Sequence, residues 1–104
     1  MKDVRFSADA KREYAEAIAY YSANAPLATV RRLEQEMLES AGLMAAFPDS
    51  HAVMSAGARR CPLHTFPDQM VYVARGQSVV VIAFMHQKRR PGYWRKRVSR
   101  SKPQ

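Results

Sequence analysis

The spacing of apolar positions changes once, near Pro48, and that change divides the chain into a helical half and a strand-rich half. Residues 2–6 place Val4 and Phe6 on one side of a short extended segment. Ser7 then stands where a helix N-cap belongs, and Asp9 puts negative charge in the first turn. From Ala10 the apolar positions Tyr14, Ala17, Ile18 and Tyr21 follow helical spacing. Asn24 and Pro26 end that helix and start a second, predicted over residues 27–46. Its inward stripe is Val30, Leu33, Met37, Ala41 and Met44, with Arg31, Arg32, Glu34, Glu36 and Glu39 largely outside it. Phe47-Pro48-Asp49 terminates the second helix, so the two helices form a hairpin.

Beyond Pro48, residues 49–57 read as a connecting loop, 59–65 alternate loosely, 70–75 are β-rich, and 78–86 are almost continuously apolar. Val71, Val73, Val79, Val81, Ile82 and Phe84 are the β-branched and aromatic types that suit a pleated, buried surface. Pro67-Asp68 and Gly76-Gln77 supply the turns between these strands. The 78–86 run has no polar face, which predicts a central strand covered at least partly on both sides. The order β-α-α-β-β-β predicts an α+β domain: a helical hairpin on a mainly antiparallel sheet, whose last three strands form an antiparallel meander. A single domain is expected over residues 1–97, with residues 98–104 as a basic tail that frays.

Length and composition narrow the classes of function. A chain of 104 residues holds one core and needs no staples. The lone Cys61 excludes an intramolecular disulfide framework and a cysteine zinc cage, and is most simply a small buried hydrophobe. Residues 79–85, the longest apolar run, are too short to cross a bilayer, and no signal peptide opens the sequence. These features point to a soluble, cytoplasmic protein with no membrane partner.

Charge changes the picture more. Lys and Arg number 17 against 9 acidic residues, a formal net charge of +8. The nine acidic residues all lie at or before Asp68, and the nine basic residues of positions 1–85, Lys2, Arg5, Lys11, Arg12, Arg31, Arg32, Arg59, Arg60 and Arg75, balance them. The excess therefore sits in residues 86–104, on Lys88, Arg89, Arg90, Arg95, Lys96, Arg97, Arg100 and Lys102. Such an arm attracts a polyanion: nucleic acid, the ribosome, anionic lipid or an acidic protein segment. The plainer alternative is a solvated tail that aids solubility.

Most chemical constellations are absent. There is no glycine-rich phosphate loop, and His51, His64 and His86 lack metal-ligand spacing, so no metal and no cofactor are expected. The acidic residues, mainly helical, read as a solvated face. The informative stretch starts where the last strand ends. Histidine is the side-chain type whose unperturbed pKa lies near neutrality, which makes His86 the natural general acid or base, and Arg89 and Tyr93 follow close behind it. Arginines can clamp phosphates and stabilise charge developing in phosphoryl transfer. Tyr93 and Trp94 offer flat faces for base stacking or protein docking, or else cover the edge of the core. Lys88, Arg90, Arg95 and Arg97, with Arg59, Arg60 and Arg75 on or beside neighbouring strands, complete the candidate binding surface. A ribonuclease needs no metal here, because the 2′-hydroxyl is a built-in nucleophile.

Four blocks, in order, resemble the RelE/ParE superfamily of bacterial toxin–antitoxin toxins. Phe6-Ser7 with Ala8, Ala10 and Ala17-Ile18-Ala19-Tyr20-Tyr21 is similar to the family's first strand and helix. Leu43 through Phe47-Pro48 resembles the end of its second helix, and Phe66-Pro67 with Met70-Val71-Tyr72 its turn into the next strand. Val80 through His86, followed by Arg89 or Arg90, Pro91, Tyr93 and Trp94, is similar to the C-terminal signature of the ParE, or plasmid-stabilisation, branch. The resemblance covers about residues 4–97 and implies the small α+β toxin fold. It implies a cognate antitoxin whose extended, often acidic segment wraps the toxin in a hetero-oligomer. In the ParE branch it implies inhibition of DNA gyrase without hydrolysis. In the RelE branch it implies cleavage of messenger RNA in the ribosome, where His86, Arg89 and Tyr93 would be the catalytic set. Residues 55–65 offer Arg59 and Arg60 in place of the clustered lysines of many RelE-like nucleases, and the Pro91-Tyr93-Trp94 ending favours ParE.

Overall fold

β1 (Asp3–Phe6) leads through Ser7 into α1 (Ala8–Asn24), and α2 (Leu27–Ala46) follows after a two-residue turn. The Ser7 side chain accepts from the Ala10 N–H at 3.1 Å, the N-cap that the sequence predicts. A 3-10 turn at Ser55–Gly57 precedes β2 (Arg59–Pro62), β3 (Asp68–Arg75), β4 (Ser78–His86) and α3 (Arg95–Arg100). The computed structural model describes residues 1–100.

The four strands form one sheet in the order β1-β4-β3-β2. β2, β3 and β4 make the expected antiparallel meander, with Gly76 at φ +57° in the tight β3–β4 turn. β1 pairs parallel to β4, so the sheet is mixed. A parallel neighbour requires a long crossover, which the helical hairpin and the first two strands of the meander supply.

Alternation along β3 and β4 splits the core into two layers. Met70, Tyr72, Val79, Val81 and Phe84 face the helices, where Ala10, Leu33 and Met44 cover them. Val71, Val73, Ala83 and Met85 face the other way. The register slips between Val71, which pairs with Ala83, and Tyr72, which pairs with Val81. Ile82 is therefore a bulge residue, and it joins Ala83 in the second layer.

That second face explains a departure from expectation. Trp94 and Val98 pack on it, 1% and 8% exposed, and the chain stays helical through Arg100. The stretch expected to fray from Val98 is thus ordered as far as Arg100, because an apolar sheet face needs a cover. Residues 101–104, the rest of the expected tail, lie outside the described residues.

The helical acidic residues are not all a solvated face. Glu13 and Glu36 are buried, as is Asp68 at the start of β3. Glu36 Oε1 accepts from the backbone N–H groups of His64 and Thr65, both at 2.9 Å, and its Oε2 from Arg32 at 2.8 Å. Burial alone would raise its carboxyl, but hydrogen bonds from Thr65, Arg32 and His64 outweigh that and hold it at about 2. This carboxylate ties the β2–β3 connection to α2.

Candidate functional site

β1 is short, and its pairing with β4 ends at Val81. From Ile82 onward the outer edge of β4 has no strand neighbour among the described residues, and its backbone groups need other partners. A buried ion pair supplies them. Arg97 of α3 donates to the Ile82 carbonyl at 3.0 Å, and the Phe84 N–H donates to Glu13 Oε1 at 3.2 Å. The Arg97 guanidinium grips Glu13 with both terminal nitrogens, at 2.8 and 3.2 Å, and the Tyr93 hydroxyl donates to Glu13 Oε2 at 2.8 Å. α1 and α3 are joined across the end of the sheet by this fork.

Beside the pair runs a groove of about 500 Å³ between the C-terminal half of α1 and the end of β4. Tyr20, Tyr21, Pro67, Asp68, His86 and Arg89 are among the residues that line it. Asp68 is the register partner of His86, and its Oδ2 accepts from the Tyr21 hydroxyl at 3.2 Å. Burial pushes the Asp68 carboxyl up, against a smaller pull downward from the Tyr21 hydrogen bond and His86.

The protonation geometry of the three candidate catalytic residues is fixed by their neighbours. The Lys88 backbone N–H donates to His86 Nδ1 at 3.0 Å. A backbone amide only donates, so Nδ1 is the acceptor and the neutral ring carries its proton on Nε2. In the neutral ring the one lone pair of His86 is therefore engaged. Arg89 lies 4.2 Å from the Tyr93 ring centroid, and Arg97 lies 4.9 Å from it. Burial first, then the hydrogen bond and charge of Glu13, push the Tyr93 phenol far above its ordinary value of 10. It stays protonated at neutral pH.

The other sequence candidates divide among three places. Lys88, Arg89, Arg90, Arg95 and Lys96 are exposed, and none of them forms an ion pair among the described residues. Arg95 donates to the Ser55 hydroxyl at 3.0 Å. Arg97 is buried and structural, so it does not add to the outer surface. Trp94 lies inside the second core layer, covering the sheet rather than offering a stacking face, and its indole N–H has no hydrogen-bond partner among the described residues. Arg59 is turned inward onto the carbonyls of Asp49 and His51, at 3.1 and 2.7 Å. Arg60 is exposed on β2. Arg75 pairs with Ser78 at the far end of β4, eight positions and roughly 25 Å from His86. The structure turns Arg59 inward and sets Arg75 at the opposite end of β4 from the C-terminal basic surface.

What the arrangement can do is bind anions on Lys88, Arg89 and Arg90. Within it the His86 Nδ1 lone pair accepts from the Lys88 amide, and the Tyr93 hydroxyl donates to Glu13. Sequence reasoning missed Glu13, Asp68, Tyr20 and Tyr21 as parts of this region. Glu13 gave a signal: it interrupts the apolar stripe between Ala10 and Ala17.

No family model and no curated protein matches the sequence. Solved structures do match the architecture. A chain of the chromosomal ParDE TA system from P. aeruginosa aligns with a TM-score of 0.71, covering 83% of this chain and 96% of that one at 12% identity. The solution structure of the conserved hypothetical protein HP0894 from Helicobacter pylori aligns with a TM-score of 0.51, covering 83% and 94% at 12% identity. The chain thus has the RelE/ParE-like α+β fold that its sequence resemblance implies.

Proposed function

We propose that this chain is a ParE-like toxin of a type II toxin–antitoxin module, which acts in the cytoplasm on DNA gyrase without hydrolysing nucleic acid. The observation that carries the non-hydrolytic choice is the engaged lone pair of His86, held by the Lys88 amide at 3.0 Å. A general base needs that lone pair within reach of the proton it removes. The other titrating candidate, Tyr93, is a donor to Glu13 and is kept neutral. The fold shared with a chain of a ParDE system supports the choice of branch. The exposed Lys88, Arg89 and Arg90 suit an acidic antitoxin segment, so association should weaken as salt rises.

The test is a gyrase supercoiling assay with the purified, folded protein, run beside 5′-end mapping of ribosome-engaged messenger RNA. The expected result is loss of supercoiling and no cuts in codon register. Ribosome-dependent cuts with gyrase unaffected would overturn the reading in favour of a RelE-like nuclease. Replacing Arg89 and Arg90 together by Ala should reduce toxicity by about tenfold or more while moving stability little, because surface changes away from packed features cost within about 0.5 kcal/mol.

A further inference from the structure

The turn from β4 into α3 and the first residues of α3 expose five cations, Lys88, Arg89, Arg90, Arg95 and Lys96. None of them has an acidic partner among the described residues. Two are nonetheless held in place. The Arg89 guanidinium lies 4.2 Å from the Tyr93 ring centroid. Arg95 donates to the Ser55 hydroxyl at 3.0 Å and folds over Gly92, where an added Cβ would come within 3.0 Å of its Nε. A ring and a hydroxyl fix a guanidinium without neutralising it, so its charge stays available and part of its ordering cost is already met. The carboxylates of α1 do not cancel this field: Asp9 and Glu13 are engaged by Arg97, and Glu16 by Arg12. A solvated tail has no need of pre-positioned, uncompensated cations, whereas an anionic surface does.

The chemistry of the partner follows from what this surface leaves out. No large hydrophobic side chain is exposed between His86 and Arg100, where Trp94 and Val98 are buried and Tyr93 is partly covered. A protein segment binds around apolar or aromatic anchors, and charge at the rim adds little affinity. A single strand is held by successive bases stacking on exposed rings. Here the Tyr93 ring carries Arg89 and Arg97, Trp94 lies in the second core layer, and Tyr20 in the adjoining groove is one exposed ring. A surface made of cations alone matches the regular phosphates of a duplex, which are bound through charge without reading the bases.

We propose that the surface of residues 88–96 binds duplex DNA through its phosphates, whatever the base sequence, with Arg89 and Arg95 as fixed contacts and Lys88, Arg90 and Lys96 as adaptable ones. Arginine forks suit phosphate oxygens bidentately, and lysines add point charges on flexible stems. The choice of DNA over an RNA helix rests on the gyrase reading, which sets the chain beside DNA. An acidic antitoxin segment drawn to the same cations would compete with DNA for them.

The experiment measures binding of the purified full chain to a short fluorescent DNA duplex by anisotropy, between about 50 and 200 mM salt. Five phosphate contacts give a slope of log affinity against log salt of about −4.5, so affinity should fall about 500-fold over that range. Two duplexes of unrelated sequence should bind alike. Lys88→Gln combined with Arg90→Gln removes two contacts, and should flatten the slope by about 2 and weaken binding about tenfold or more. Arg5→Gln combined with Arg75→Gln removes the same charge toward the other end of β4, and should change affinity less than about twofold. A slope shallower than about −2 would overturn the proposal. So would a loss in the second pair equal to that in the first, or tighter binding to a single strand, an RNA helix or polyglutamate of equal charge. If a variant does not fold, the slope and these competitors decide it on the unaltered chain. The supercoiling assay is read separately: DNA binding without loss of supercoiling overturns the gyrase reading alone, and loss of supercoiling without DNA binding overturns this one alone.

Discussion

Glu13 on α1 and Glu36 on α2 both sit in helix stripes that face the sheet, 6% and 4% exposed, yet they are held by different kinds of partner. Glu36 takes two backbone amides from the β2–β3 connection, plus an Arg32 side chain that remains 56% exposed. Glu13 takes a buried guanidinium, a phenol and one strand amide. The first carboxylate is stabilised mainly by fixed dipoles. The second is one half of a pair whose other half, Arg97, is itself shut away from water. Ionised carboxylates are thus used in two ways, as an anchor for a loop and as a bolt between α1 and the C-terminal segment, with different consequences when they are removed.

The largest effect should follow Glu13→Ala. It takes the Glu13 carboxylate from the buried Arg97, which keeps Asp9 3.5 Å away, and it strips the partner from Tyr93 and the Phe84 amide. Breaking a buried pair in this way costs about 3–5 kcal/mol. Urea unfolding gives the number, and hydrogen exchange should show α3 opening first. A loss below about 1 kcal/mol would mean that the pair is not the bolt described here.

Glu36→Gln should cost less, about 1–3 kcal/mol at neutral pH, because the amide keeps one acceptor oxygen but loses the charge. The effect depends on pH in a definite direction. The folded-state value, about 2, is below the ordinary 4.5, so this stabilisation is complete above pH 4.5 and is lost as pH falls toward 2. Denaturation of the two proteins across that window should give curves that converge at the acid end. A gap that stays constant with pH would place the effect in packing rather than in charge.

Both carboxylates show where the sequence stops being informative. The hairpin and meander follow from local signals: the 3.6-residue stripe, the Ser7 cap, the β-branched runs and the Gly76 turn. Glu13 lies three residues after Ala10, and Glu36 three after Leu33, so each occupies an inward position. A charged residue there reads as outward unless its partner is known, and the partners are 84 and 28 residues away. α3 was hidden for a related reason. Four of its six residues are basic, and its only apolar signal is the spacing of Trp94 and Val98, which needs the uncovered sheet face to give it meaning. In the groove, His86 and Arg89 were legible as chemistry. Asp68 read as a turn residue, because its place opposite His86 is set by strand register.

The smallest expected effect is also the sharpest on the comparison. Arg32→Ala removes the ion pair from Glu36 but leaves the His64 and Thr65 amides in place. Arg32 is more than half exposed, so solvent screens the pair, and the cost should be under about 1 kcal/mol, shrinking further as salt is raised. The acid-induced loss of stability should persist in the variant, with its midpoint moved slightly toward higher pH, because the remaining donors still favour the ionised form. If Arg32→Ala costs as much as Glu36→Gln, Glu36 depends on its charge partner as Glu13 does, and the two carboxylates are one device used twice. If the cost stays small while Arg97→Ala approaches that of Glu13→Ala, burial of the cation is what separates them. Arg32 can rehydrate when its partner leaves, whereas Arg97 can do so only by undocking α3.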